Sequence, residues 1–307
     1  MCYALYSVTF NGGTTMSVQI TTAFVEQYKS NVFHLAQQKG SKLRDAVRTE
    51  SIVGKSHFFE RIGSTAAVKR TSRHADTPRV DTPHSRRKVT MDDYDWADLI
   101  DDSDKVRLLI SPQSEYAKAG AYAMGRTMDD VIIAAATGNA FGGVSGGSTI
   151  ALPAGQKIAH GSTGLTIAKL ISAKEKLDAA NVDPDEARVL VCSAKQISDL
   201  LGTTQITSAD FNSVKALVQG DIDTFMGFKF IVSNRLAKSG NNRTCFAFAE
   251  DGLKLAVGKD VMARIEERAD KSYSTQVYYC ATFGATRMEE DKVVEITCDE
   301  SESFTFG

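Results

Sequence analysis

Residues 111–138 read SPQSEYAKAGAYAMGRTMDDVIIAAATG, and no other stretch narrows the architecture of the chain as much. Ser111 is a good cap, Pro112 suits the first helical position because its missing N–H would have no partner there, and Gly138 suits the exit. Tyr116, Ala119, Ala123, Met128, Val131, Ile132 and Ala135 fall along one broad apolar stripe. The spacing predicts a helix over 112–137, roughly 40 Å long at 1.5 Å per residue. Gly120 and Gly125 each cost up to about 1 kcal/mol relative to alanine in such a helix. Close packing of another segment across that face would explain them.

Working toward the amino terminus, residues 91–104 carry seven aspartates and no base. They read as an acidic linker. Before them, residues 61–90 hold eight bases (Arg61, Lys69, Arg70, Arg73, Arg79, Arg86, Arg87, Lys88) against Asp76 and Asp81. Pro78 and Pro83 lack an N–H and push the preceding threonines toward extended geometry. That composition suits a long hairpin excursion whose strands are not central in any sheet. Short strand-like apolar pieces lie over 46–62. Phe24, Val25, Tyr28, Val32 and Leu35 give residues 22–39 the spacing of an amphipathic helical arm. The first fifteen residues lack the basic and apolar regions of a secretory signal, and Met16 is expected as the biological start, a genuine tail being the alternative.

On the carboxyl side, NAFGGVSGGST (139–149) reads as a flexible connector at a domain boundary. Mixed α/β grammar follows: a helix over 166–180, a strand at ARVLVCS (187–193), a helix over 194–201, and strands at FKFIVS, CFAFA and LKLAVG. An extended, β-rich tail over 262–297 closes the chain.

The 307 residues are 42% hydrophobic and 24% charged, with a formal net charge of −2. That balance bounds one large domain or two ordinary ones and gives no global attraction to nucleic acid. Five scattered cysteines without a C-x-x-C pair read as reduced thiols. No apolar run is long enough to span a membrane.

Motifs that carry chemistry fail on context. Gly54-Lys55-Ser56 resembles the end of a phosphate-binding loop, but Thr49 stands where that loop needs glycine. GVSGG around Ser145 matches a nucleophile elbow only formally, because a strand must precede the serine and a helix follow it. The aspartates lack calcium-loop spacing and the five histidines form no i,i+4 pair. No catalytic, metal or cofactor site emerges, and the chain reads as a non-enzyme.

Three segments together resemble the major capsid (coat) protein of tailed bacteriophages, a fold shared with encapsulins. They are LISPQSEYAKAGAYAMGRTMDDVIIAAATG (109–138), LVQGDIDTFMGFKFIVSNRL (217–236) and LAVGKDVMARIEERADKSYSTQVYYCATFGATRMEEDKVVEI (255–296). The resemblance implies an α+β capsid fold. Its expected parts are a leader (1–15), an N-arm with the start of a peripheral domain (16–55), and an extended E-loop hairpin (56–92). The peripheral domain with its spine helix (93–145), an axial α/β domain (146–260) and a return to the peripheral domain (261–307) complete it. It further implies self-assembly through hexamers and pentamers into an icosahedral shell around double-stranded DNA, held non-specifically. A portal, a separate scaffolding protein or none, and assembly in the host bacterial cytoplasm would go with that role. An encapsulin-like compartment around a cargo enzyme is the alternative. Under this resemblance Arg70, Arg73, Asp76, Arg79, Asp81, Arg86, Arg87 and Lys88 of the E-loop are expected to touch a neighbouring subunit. Asp98, Asp101 and Asp102 are the candidate acidic counter-surface.

Overall fold

The computed structural model describes residues 37–73, 76–101, 112–201 and 224–301. Most of the expected amphipathic arm, and all of the leader, lie outside them. In chain order the early strands are β1 (Arg48–Ser51), β2 (Ser56–Ile62), β3 (His84–Thr90) and β4 (Asp92–Ile100). Helix α1 (Pro112–Thr137) follows, then β5 (Ala140–Gly142), β6 (Ser148–Ile150), β7 (Lys157–Ile158), α2 (Ile167–Ala179), β8 (Arg188–Cys192) and α3 (Ala194–Leu201). The chain closes with β9 (Thr224–Phe225), β10 (Phe228–Val232), β11 (Lys238–Ser239), β12 (Asn242–Ala249), β13 (Leu253–Arg268), β14 (Ser274–Arg287) and β15 (Val293–Asp299).

These strands form three sheets. One runs β1-β13-β14-β4, and α1 packs on it. A seven-stranded sheet runs β7-β15-β12-β8-β10-β9, with β11 on β12. The third runs β2-β3-β5-β6. Helix α2 begins at Thr166, whose hydroxyl accepts from Lys169 N at 3.4 Å, and it buries Leu170, Ala173 and Leu177. β8 is buried at every position, as an interior strand with both faces covered must be.

Both helix glycines have the close neighbours that their cost requires. A Cβ on Gly120 would stand 2.6 Å from the Trp96 ring and 2.7 Å from Tyr279. One on Gly125 would meet the backbone of Gly40 and Ser41 at 2.5 Å. The incoming chain is fastened one turn later. Buried Asp129 accepts from Ser41 Oγ at 2.5 Å, from Lys42 N at 3.0 Å and from Leu43 N at 3.1 Å, and Gln38 Nε2 also donates to it. Four donors on one carboxylate hold the start of the described chain across the middle of α1.

Four expectations are corrected. The acidic linker is strand β4, paired along its whole length with β14 from Asp92↔Phe283 to Ile100↔Thr275. Its period-2 pattern sends Tyr94 and Trp96 to the helix side, where Tyr94 stacks on Phe283 with ring centroids 4.5 Å apart. The glycine-rich connector is the β5–β6 hairpin, turned by Gly143 at φ +84° and Gly146 at φ +71°. β3 is an interior strand, because Arg87 and Lys88 also pair with Gly142 and Phe141 of β5. The division at 260/261 does not follow the sheets either. β13 joins the α1-covered sheet from Leu253, whereas the last strand, β15, pairs with β12 inside the seven-stranded sheet.

Candidate intersubunit surface

The basic segment divides into a root and a tip. β2 and β3 pair from Ser56↔Thr90 to Ile62↔His84, and Gly63 N donates to Pro83 O at 2.9 Å where the regular ladder ends. One face of this ladder is buried. Phe59 and Val89 join Ile52, Met91, Ala256 and Met288 in a small apolar cluster, so the root is packed onto the body. Beyond it, every described residue from 63 to 83 is exposed.

The structure therefore sorts the predicted bases. Arg70, Arg73, Asp76, Arg79 and Asp81 lie on the exposed tip. Arg79 Nε reaches Asp81 Oδ1 at 3.2 Å, but the two side chains are 89% and 86% exposed. Arg86 is at the root's outer face, 2.9 Å from Glu60 directly across the ladder and 5.8 Å from the centre of the Phe58 ring. Lys88 is half-buried and lies over the β5–β6 turn at Gly146. Arg87 departs from expectation. It is 2% exposed, its Nη2 is paired with Glu290 of its own chain, and Nε donates to Met288 O at 3.2 Å. Burial lowers its pKa, opposed by the Glu290 carboxylate. Alternation along β3 places it there: Ser85, Arg87 and Val89 share a face with Phe59.

The acidic residues sort by the same parity. Asp98 pairs with buried Val277 on the helix side, its carboxylate accepts from Leu99 N at 2.9 Å, and burial raises its pKa. It is not a free counter-charge. Asp101 is half-buried and Asp102 lies outside the described residues. The acids on the open face are Asp93 and Asp95, which accept from Thr282 Oγ1 and Tyr278 OH, each at 2.6 Å. Composition gave no reason to prefer them; the strand parity of Tyr94 and Trp96 was the available signal.

The chemical motifs end up in unsuitable settings. Gly54-Lys55-Ser56 leads into strand β2 rather than a helix, and Ser145 stands in a tight turn between strands. Cys192, Cys245, Cys280 and Cys298 are free and buried, and burial pushes the Cys192 thiol up to about 12. No helix among the described residues is long and apolar enough to cross a membrane.

A family model described as phage capsid protein matches residues 20–300. The chain belongs to the phage capsid protein family. Solved structures share its fold. The capsid of Ralstonia phage GP4 superposes with a TM-score of 0.71 at 9% identity, over 96% of this chain and 100% of that one. The capsid of cyanophage P-SCSP1u gives 0.68 at 19% identity, over 92% and 95%. Cyanophage Pam1 gives 0.67 at 15%, over 92% and 98%. No curated protein matches the sequence. This capsid protein is a structural component of the phage virion, a major capsid protein, and the encapsulin reading is not favoured.

Proposed function

We propose that copies of this capsid protein close, as hexamers and pentamers, into an icosahedral shell around the double-stranded DNA of a tailed phage. The E-loop tip of each subunit lies on the next. One observation carries the intersubunit role: a projection whose described residues from 63 to 83 are all exposed, yet which holds Arg70, Arg73 and Arg79 beyond a well-packed root. Ordering a long segment costs about 1–2 kcal/mol per residue, and a surface supplied by a neighbour would offset that cost. The acidic open face of β4, at Asp93 and Asp95, complements the tip in charge and replaces the Asp98–Asp102 group as the preferred partner. Single exposed pairs contribute about 0–1 kcal/mol, so such contacts act through repetition and leave misplaced subunits free to detach. A portal, a separate scaffolding protein, non-specific contact with packaged DNA and assembly in the host bacterial cytoplasm complete this reading. Negative-stain microscopy of the purified protein tests it. Closed shells are expected; dispersed subunits or open tubes under all conditions would contradict it.

A further inference from the structure

The root of the E-loop ends on a charge arrangement that the capsid role does not by itself require. Glu290, in the link between β14 and β15, is a carboxylate shared by three guanidinium groups. Its Oε1 accepts from Arg87 Nη2, while Arg287 Nε, which has no hydrogen-bond partner among the described residues, faces the same oxygen at 3.7 Å. Its Oε2 lies 3.8 Å from Arg61 Nη1. Arg287 is fully buried and spends its remaining donors on main chain: Nη1 on Ala136 O at 3.1 Å and Gly138 O at 2.7 Å, Nη2 on Ile150 O at 3.0 Å. Burial lowers the Arg287 pKa, and the neighbouring Glu290 opposes that shift.

The cluster thus joins three parts of the fold. Arg61 and Arg87 belong to the two strands of the hairpin root, Ala136 and Gly138 to the exit of the spine helix, and Ile150 to the β5–β6 hairpin. The last carbonyls of a helix attract a cation, which accounts for Arg287. They do not hold the root. The Met288 carbonyl accepts from Arg61 Nη1 and Arg87 Nε, but it carries no net charge. Glu290 brings the negative charge that faces Arg287, Arg61 and Arg87 together, and without it the three guanidinium groups would repel one another in a low-dielectric setting.

We propose that Glu290 is a positioning residue that couples the E-loop to the end of the spine helix and so fixes the direction in which the loop leaves the body. This deepens the proposed function, because the direction matters only if the tip must find a neighbour. A projection of this length turns a small swing at the root into a large displacement at the tip.

The test is amide hydrogen exchange on the full-length, unassembled Glu290→Gln subunit, followed by an assembly assay. Exchange should accelerate by on the order of tenfold in 56–62 and 84–90, with little change in 188–192 and 242–249 of the seven-stranded sheet. Shell yield should fall with it. If Glu290→Gln fails to fold, Glu290→Asp keeps the charge but withdraws it by one methylene, and it should show the same local pattern to a smaller degree. Uniform acceleration in all sheets, or unchanged exchange at the root, would overturn the coupling. A loosened root with normal shells would leave the coupling standing and instead sink the intersubunit role of the E-loop.

Discussion

The two ends of one basic hairpin behave in opposite ways. At the tip, Arg70, Arg73 and Arg79 stand in solvent; at the root, Arg87 is almost fully buried and committed to Glu290. Residue type and local charge are the same at both ends. The difference is set by strand parity and by a carboxylate 203 positions downstream. A basic segment is therefore not one functional unit. Its buried bases hold the projection in place, and its exposed bases are available to a neighbour.

Reversing charge at the two ends should separate them most strongly. Arg87→Glu would set two carboxylates against each other in a buried site and remove the guanidinium paired with Glu290. Breaking a buried pair costs about 3–5 kcal/mol, so the protein is expected in the insoluble fraction, measured by sedimentation after expression. Soluble Arg87→Glu with a wild-type melting curve would abolish the distinction between root and tip.

A smaller effect is expected from a buried network in the seven-stranded sheet, where pH rather than mutation is the probe. Burial alone would raise the pKa of Glu300, yet hydrogen bonds from Arg243, Lys238 and Gln196 hold it down to about 2. A carboxylate with a depressed folded-state pKa contributes stability that is present above its unfolded value, near 4.5, and is lost as pH falls toward 2. Acid unfolding followed by circular dichroism should therefore steepen in that window for the wild type. Glu300→Gln should be less stable at neutral pH and flatter between those values. Parallel curves would show that the network does not hold Glu300 as described.

The smallest effect belongs to the tip pair. Arg79→Ala removes an ion pair between two nearly fully exposed side chains, and thermal unfolding of the subunit should shift by less than the equivalent of about 0.5 kcal/mol. A larger loss would mean that the tip packs on its own body.

Much of the fold was legible in the sequence, and the failures share a cause. The bounds of α1 follow from Pro112 and Gly138, and the costs of Gly120 and Gly125 correctly required close neighbours, now seen as Trp96, Tyr279 and the Gly40–Ser41 backbone. Helices α2 and α3 and strands β8, β10 and β12 fall where periodicity puts them. β4 was obscured because aspartate is depleted in strands and its count hid the alternation of Tyr94 and Trp96. The β5–β6 hairpin was obscured because glycines serve tight turns as readily as linkers. Arg87, Asp129 and Glu290 could not be found locally, since each is defined by partners more than 80 residues away.

Replacing Arg70, Arg73 and Arg79 together with glutamate and imaging the protein by electron microscopy asks whether the exposed tip works between subunits. None of the three is buried, so the subunit should fold with a wild-type melting curve yet form no closed shells at low salt. Raising ionic strength to about 1 M, where screening shortens to about 3 Å, should restore part of the assembly. Normal shells from the triple variant at low salt would mean that the tip's charges play no part between subunits.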